Sequence, residues 1–212
     1  MILLPRPNKL HSDQMMIPQE VLGHDRILCL YGPIYSMMGN GDVRIDAFGP
    51  IGICDGLVVL DKVSHDPIKL IIDSVGGVIS DALIIYDTIK TIQSPVWTIG
   101  RGAKSAAVLL LAAGQPGHRY LYEHSRVMLH PPAMHLGVVD PQSGKTAMTE
   151  LNKVLKQLAQ ILVDNGATRS LRKILEDMKR EFWMSAEEAV DYGVADVVIR
   201  AKGDVSPLGN AP

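Results

Sequence analysis

Short apolar runs alternate along the chain with stretches whose hydrophobic residues recur at helical spacing. The strand-like runs are bounded by glycine, proline or polar residues and lie at 26–34, 68–73, 96–100, 118–122, 126–130 and 195–199. The helical patterns lie at 53–64, 78–92, 105–114, 146–164, 171–180 and 185–192. Because strands and helices alternate from one end of the chain to the other, the pattern predicts an α/β fold.

Capping residues mark several of the helix boundaries. Ser170 is a predicted N-cap, and Ser185 with Glu188 forms a capping-box pattern at the following helix. Asn165-Gly166 is typical of the end of a helix. The long helix that ends there has an apolar stripe at Met148, Leu151, Leu155, Leu158 and Leu162. The pattern therefore predicts an amphipathic long helix.

The chain divides into three parts by composition. Residues 1–25 are polar, contain prolines and have no clear period, so we predict a loosely ordered N-terminal arm. Residues 26–200 are predicted to form one domain, and 201–212 a flexible tail. Within the domain, residues 35–50 are predicted to form a mobile surface loop, and the SVGG sequence at 74–77 a tight turn.

Composition narrows the class of protein. Apolar residues make up 47% of the 212 residues and the mean hydropathy is +0.12, an excess that predicts a subunit interface. The net charge of −2 gives no electrostatic basis for binding nucleic acid or an anionic membrane. The longest apolar run, Ala106 to Ala113, is far shorter than the roughly 20 residues that span a bilayer, and two early prolines interrupt any signal-peptide segment. We therefore expect a soluble, cytoplasmic protein in which Cys29 and Cys54 are buried free thiols.

The segment GRGAKSAAVLLLAAG, residues 100–114, places a lysine and a serine at the start of a buried helical run. Ser105 is either a helix N-cap or a nucleophile presented where backbone N–H groups point outward from a strand-to-helix junction. A serine nucleophile needs a base, an acid that orients the base, and N–H donors for the oxyanion. Lys104 is an alternative base, as in Ser-Lys enzymes, although adjacent helical positions point about 100° apart. This segment alone leaves both interpretations open.

A histidine and a glycine-rich turn are further candidates for chemistry. His130 ends a strand-like run and precedes two prolines, which stop the strand and leave the imidazole at its edge. His130 and His135 lack the spacing of a zinc motif, and the GNGDV turn lacks a nucleotide-binding pattern around it. We therefore expect no metal at these histidines and no nucleotide at this turn.

Four sequence blocks in one order carry a family resemblance. They are IDSVGG at 72–77, the serine at 105, SRVMLHPP at 125–132 and MSAEEAVDYGVAD at 184–196. Together they closely resemble the proteolytic subunit of the Clp protease, whose blocks are INSPGG, a serine in GQAAS-M-G, SRVMIHQP and SAxEAxxYGLxD. The resemblance covers roughly residues 26 to 200.

The resemblance implies a role for five residues. Ser105 would be the nucleophile and His130 the general base that later protonates the leaving amine. Glu181 stands at the position of the family's aspartate and would orient His130. The backbone N–H groups of Gly77 and Ala106 would form the oxyanion hole.

The resemblance also implies a fold, an assembly and a reaction. The fold would be the α/β superhelix of ββα units that the Clp protease and crotonase group shares, with the helix at 146–164 as a projecting handle. Subunits would form two stacked seven-membered rings and cut unfolded polypeptides to short peptides as a serine endopeptidase without a cofactor. A separate AAA+ unfoldase would use ATP. Because Lys69 and Ile71 replace two aromatic docking positions, we expect weak or no coupling to a standard Clp unfoldase.

Two other functions fit the same fold. A catalytically silent ring subunit usually lacks the serine or the histidine, and both are present at positions 105 and 130. An acyl-coenzyme A enzyme of the crotonase type would not need a serine and a histidine in this order. The sequence therefore favours the peptidase over these two alternatives.

Overall fold

The computed structural model describes residues 25–35, 38–39, 42–43, 49–134, 137–138, 140–200 and 207–208. The strands are β1 (Ile27–Ile34), β2 (Met38–Gly39), β3 (Asp42–Val43), β4 (Ile68–Gly77), β5 (Val96–Lys104), β6 (Arg119–Tyr122), β7 (Val127–Leu129), β8 (Phe182–Met184) and β9 (Val197–Ile199). The helices are α1 (Pro50–Val63), α2 (Ile79–Thr91), α3 (Ala107–Ala112), α4 (Pro141–Asp164), α5 (Leu171–Asp177) and α6 (Ala186–Tyr192). The predicted α/β fold is confirmed. The predicted N-terminal arm and most of the predicted tail lie outside the described residues.

A mainly parallel sheet organises these elements. Five parallel strands follow the order β1-β4-β5-β6-β9. Near its carboxyl end β5 turns from β6 to a new neighbour, β7, which is also parallel to it. The short strand β8 then adds to β7 in antiparallel orientation. Because β5 contacts two different strands along its length, its carboxyl end lies at a branch point of the sheet.

The main core lies between one face of the sheet and the helices. All six residues of α3 are buried, which explains the unbroken apolar sequence AVLLLA. The helical spacing at 78–92 predicts a stripe of Ala82, Ile85, Ile89 and Ile92. The first three are buried in the same core, and Ile92, just past the end of α2, is partly buried against it. A smaller cluster on the sheet contains Cys29, Ile71, Ile99 and Tyr120. Sheet residues are thus buried in two separate clusters, as expected for parallel strands covered on both faces.

Two predicted irregular segments contain strands instead. The predicted tight turn at 74–77 is wrong, because β4 continues through Gly77 and pairs with β1 in the register Ile34 to Gly77. Within the predicted loop at 35–50, Met38–Gly39 and Asp42–Val43 form a short antiparallel hairpin. In both places pairing with another strand favours extended backbone over the local preference of glycine for turns.

The long helix starts earlier than the pattern predicted. It begins at Pro141, and the Asp140 carboxylate caps it by accepting hydrogen bonds from the N–H groups of Gln142 and Ser143. Only Leu158, Ala159 and Leu162 are buried, so the amino-terminal half of the stripe stands clear of the protomer core. Such an exposed half-helix fits the projecting handle that the family resemblance implies.

The remaining predicted caps are present. The Ser170 hydroxyl accepts from the N–H of Lys173, and Ser185 and Glu188 form the reciprocal capping box. The helix that Ser170 starts ends at Asp177, three residues before the predicted boundary. Cys29 is a buried free thiol and Cys54 a half-buried one. None of the described helices is both long and apolar enough to span a membrane.

Candidate active site

Ser105 lies at the bend between β5 and α3. Its φ angle is +56°, a left-handed conformation that is uncommon for a residue with a side chain. Its N–H donates to the carbonyl of Met128 at 2.7 Å, which ties the bend to β7. The helix begins at Ala107, and no side chain caps it. The prediction that Ser105 opens or caps the helix is therefore wrong, and the hydroxyl projects from a strained bend instead.

The Gly76–Gly77 end of β4 packs directly against this bend. A Cβ built on Gly76 would lie 2.7 Å from the Cβ of Ser105 and 2.9 Å from the backbone nitrogen of Ala106. The Ser74 hydroxyl holds this end of the strand by donating to the carbonyl of Gly32 and accepting from the N–H of Gly76. N–H groups that open a helix lack intrahelical acceptors. The predicted oxyanion donors, Gly77 and Ala106, thus belong to two segments in close contact beside Ser105.

His130 faces the serine hydroxyl. Its Nε2 atom lies 2.8 Å from the Oγ of Ser105, a hydrogen-bond distance. The imidazole follows the last residue of β7, and β7 pairs with β5 in the register Met128 to Lys104. Parallel pairing therefore brings the end of each strand, and the functional group after it, to the same edge of the sheet. The predicted nucleophile and base are 25 residues apart in sequence and are brought together.

Glu181 directly precedes β8, and His130 directly follows β7, its antiparallel partner. Met128 pairs with Trp183 and Leu129 with Phe182, so the next pair in this register is His130 with Glu181. Residues directly opposite in such a ladder have Cβ atoms about 4.5–5.5 Å apart and side chains on one face. The Glu181 carboxylate accepts a hydrogen bond from the indole N–H of Trp183 at 2.9 Å. Among the described residues no hydrogen bond joins His130 to Glu181 in this conformation.

Lys104 is directed to a different partner. Its ammonium lies over the ring of Trp183, 5.5 Å from the ring centroid. This is the geometry of a cation–π contact. Among the described residues no hydrogen bond joins the Lys104 ammonium to Ser105, and the geometry favours His130 as the base of Ser105.

Asp177, one helical turn before Glu181, also has other partners. Its carboxylate accepts from the hydroxyl of Tyr192 at 3.3 Å and forms an ion pair with Lys173 at 3.0 Å. Burial is the main cause that raises the pKa of Tyr192, and the neighbouring Asp177 carboxylate adds to it. A carboxylate held by two groups of its own region is typical of a structural role.

A small apolar cavity borders the serine–histidine pair. Its volume is about 20 Å³, and its lining is Ile79, Ser105, Ala106, Leu109, Leu129, His130, Pro132, Leu158 and Met178. A larger depression of about 430 Å³ runs along the outer surface of α5 and is lined by none of the predicted site residues. In the described ranges no group of three or more His, Cys, Asp or Glu side chains is placed to hold a metal ion. The apolar cavity is the one that adjoins the candidate chemistry.

The arrangement has the parts that acyl transfer requires. A hydroxyl lies in hydrogen-bond contact with an imidazole, at a bend where two backbone segments meet and next to an apolar cavity. Comparison with known proteins identifies the family. A family model for the Clp protease matches residues 12–202. The chain belongs to the Clp protease family.

Two curated relatives support this assignment. Over 152 residues the chain is 41% identical to the ATP-dependent Clp protease proteolytic subunit of Bacteroides fragilis, covering 69% of this chain and 70% of the relative. The same subunit from a second strain of Bacteroides fragilis is also 41% identical over 152 residues, covering 69% of this chain and 66% of the relative. The α/β architecture described above is accordingly that of the Clp protease and crotonase group.

Sequence reasoning named Gly76 only as part of the SVGG segment and did not name Trp183. Gly76 makes the close contact with Ser105, and the sequence signal for it was the first glycine of the SVGG block. Trp183 holds Glu181, and the signal was the spacing of two residues, which places both side chains on one face of a strand. The hydrophobic pattern did not predict β8, so the two-residue spacing could not be recognised as a same-face contact within a strand.

Proposed function

We propose that this Clp protease family member is a serine endopeptidase subunit that cleaves unfolded polypeptides to short peptides. The observation that carries the proposal is the 2.8 Å contact between Nε2 of His130 and Oγ of Ser105 at the strained bend. A hydroxyl in this contact can lose its proton to the imidazole as it attacks a carbonyl.

The proposed reaction proceeds through an acyl-enzyme. His130 Nε2 takes the proton of Ser105 Oγ as the oxygen bonds to the scissile carbonyl carbon, and the N–H groups of Gly77 and Ala106 stabilise the oxyanion. The carbon–nitrogen bond then breaks, and the imidazolium gives its proton to the leaving amine. Water attacks the acyl carbon as His130 takes one of its protons. The bond from that carbon to Ser105 Oγ then breaks, the imidazolium returns its proton to Oγ, and the new carboxylic acid leaves. Glu181 orients the imidazole throughout.

We propose that subunits assemble into stacked rings. The outer surface of α1 exposes Val58, Val59 and Val63 at 46%, 52% and 75%, and Ile84 of α2 is 56% exposed. Exposed apolar side chains on adjacent helices favour burial against another subunit. Size-exclusion chromatography with light scattering should give a particle many times the 23.1 kDa of the chain. A monodisperse monomer at micromolar concentration would contradict the proposal.

Coupling to an AAA+ unfoldase is proposed to be weak. The two positions that carry aromatic docking residues in the resembling family hold Lys69 and the buried Ile71. Short peptides should therefore be cut without ATP, and folded proteins should be spared when a standard bacterial Clp unfoldase and ATP are added. Robust ATP-dependent degradation of a folded protein would overturn this part.

Hydrolysis of a fluorogenic peptide tests the proposed function. Ser105→Ala and His130→Ala should both be inactive, while Lys104→Ala should keep most of the activity because Arg126 still lies over the Trp183 ring. Activity of the wild type on an acyl-coenzyme A thioester, with none on peptides, would favour the crotonase alternative. A wild type inactive on both substrates would favour the silent ring subunit.

A further inference from the structure

Trp183 connects the candidate acid to the strands that carry the nucleophile and the base. Its indole Nε1 donates to Oε2 of Glu181 at 2.9 Å. The ammonium of Lys104 lies 5.5 Å from the centroid of the indole ring, and the guanidinium of Arg126 lies 5.9 Å from it. Lys104 precedes Ser105 directly, and Arg126 precedes the first residue of β7. The indole is therefore held by groups from both strands.

His130 directly follows β7 and Glu181 directly precedes β8. Continued by one residue, the register of this ladder sets the two opposite each other with both side chains on one face. Ser105 occupies Nε2 of His130, and Trp183 occupies Oε2 of Glu181. Within the described part of the chain, Nδ1 of His130 and Oε1 of Glu181 have no hydrogen-bond partner. The Glu181 side chain is exposed, so burial does not prevent its rotation.

A glutamate needs more positioning than the aspartate that the resembling family has at this place. It has one more methylene and one more rotatable bond, and each bond that must be fixed costs conformational entropy. A carboxylate has two oxygens and can accept from two donors at once. When an indole N–H holds one carboxylate oxygen in place, the second oxygen of the same carboxylate has fewer possible orientations.

We propose that Trp183 is a positioning residue that fixes Oε2 of Glu181, so that Oε1 accepts from Nδ1 of His130 during turnover. The proposal rests on the proposed function, in which Glu181 orients His130. Trp183 touches neither substrate nor reacting atoms and acts through the carboxylate alone.

The test is a double-mutant cycle on peptide hydrolysis with kcat and KM measured separately. Trp183→Phe keeps a ring for Lys104 and Arg126 but removes the N–H donor, and should lower kcat about tenfold with KM unchanged. In a Glu181→Ala background the same change should cost less than about twofold, because the carboxylate it acts on is gone. Trp97→Phe is the matched control, since Trp97 stacks on His118 at 4.5 Å and has no contact with Glu181. It should leave kcat unchanged.

Two results would overturn the positioning role while leaving the peptidase intact. One is a kcat that does not fall in Trp183→Phe. An unchanged kcat would mean that the indole does not help to position the carboxylate, and a raised kcat would mean that the indole keeps the carboxylate away from His130. The other is an equal loss of kcat in both backgrounds, which would indicate a purely structural role. By contrast, a wild type without Ser105-dependent hydrolysis would overturn the proposed function itself.

A spectroscopic measurement covers the case in which Trp183→Phe does not assemble. The chain has two tryptophans, so Trp97→Phe protein labelled with 5-fluorotryptophan carries one fluorine probe, at position 183. Its ¹⁹F resonance should move when Glu181→Ala is added. An unmoved resonance would show that the indole and the carboxylate do not interact, and the proposal would be wrong.

Discussion

Gly76 and Ser105 approach so closely that a Cβ on Gly76 would lie 2.7 Å from the Cβ of Ser105. The same Cβ would lie 2.5 Å from the carbonyl oxygen of Lys104, and the φ angle of Gly76 is +82°. Backbone and side-chain atoms of the bend thus occupy the space that any other residue would need. The contact sets the separation between the Gly76–Gly77 end of β4 and Ser105.

Gly76→Ala should therefore abolish peptide hydrolysis and lower the free energy of unfolding by about 2–4 kcal/mol, from left-handed strain plus displaced backbone. Gly117→Ala is the matched control, because its φ is +86° and a Cβ there meets nothing within 4 Å. It should cost only the strain, about 1–2 kcal/mol, and keep activity. Thermal unfolding and kcat should be measured for both variants. Equal activity of Gly76→Ala and Gly117→Ala would show that the close contact with Ser105 is not needed for hydrolysis.

Substitution of Ser105 should separate stability from function. Since the residue is left-handed at φ +56° and does not cap α3, Ser105→Ala should change stability by less than about 1 kcal/mol. Ser105→Gly removes the left-handed strain and should be more stable than Ser105→Ala by about 1 kcal/mol. Both should lose turnover by about a million-fold if Ser105 is the nucleophile. Urea unfolding compares the pair, and a less stable glycine variant would contradict the strained bend.

Local sequence signals predicted the features that depend on local physics. The capping box of Ser185 and Glu188 follows from side chains three residues apart, and it is present. The stripe of Ala82, Ile85 and Ile89 follows from helical periodicity and is buried. The family resemblance, carried by short blocks, supplied the serine and histidine that lie 2.8 Å apart.

Features set by strand pairing were beyond the same signals. Val75-Gly76-Gly77 has the composition of a turn, yet β4 continues through it and pairs with β1, with Gly76 left-handed at φ +82°. The left-handed conformation of Ser105 occurs where Gly76, from the neighbouring strand β4, packs against it. A serine has no local preference for that conformation, so the sequence around position 105 could not predict it. Likewise the contact between Trp183 and Glu181 became interpretable only once β8 was paired with β7.

The two carboxylates before α6 should respond oppositely to replacement. Asp177→Ala removes the partners of Tyr192 and Lys173 and should lower the free energy of unfolding by about 1–3 kcal/mol, with kcat within about twofold. Glu181→Ala should lower kcat strongly while leaving unfolding and particle size unchanged. Inactive Asp177→Ala protein together with a fully active Glu181→Ala variant would place the acid one helical turn earlier.

Acid should weaken the fold through Asp196. Burial by itself raises the pKa of this carboxyl, but hydrogen bonds from the Arg119 guanidinium and from the N–H groups of Arg119 and Gly117 outweigh it, so the pKa is lowered. A lowered folded pKa contributes stability that is complete above the unfolded pKa of about 3.9 and is lost as the pH falls through the folded value. Urea unfolding can be measured at a series of pH values from about 5 down to about 2.5. Over this range the free energy of unfolding should fall less for Asp196→Asn than for the wild type.

The exposed Asp87 provides the control for this pH dependence. Asp87→Asn should retain the wild-type loss of stability at low pH, because the Arg119 contacts are untouched. Parallel curves for the wild type and Asp196→Asn would show that another group causes the acid sensitivity.

The central claim is that His130 activates Ser105 as a nucleophile. Labelling with a fluorophosphonate probe, followed by peptide mapping, tests it most directly because the probe bonds to an activated serine oxygen. The account predicts one modified residue, Ser105, in the wild type and in Lys104→Ala, and no labelling in Ser105→Ala or His130→Ala. Labelling of another serine, or labelling that survives in His130→Ala and disappears in Lys104→Ala, would contradict it.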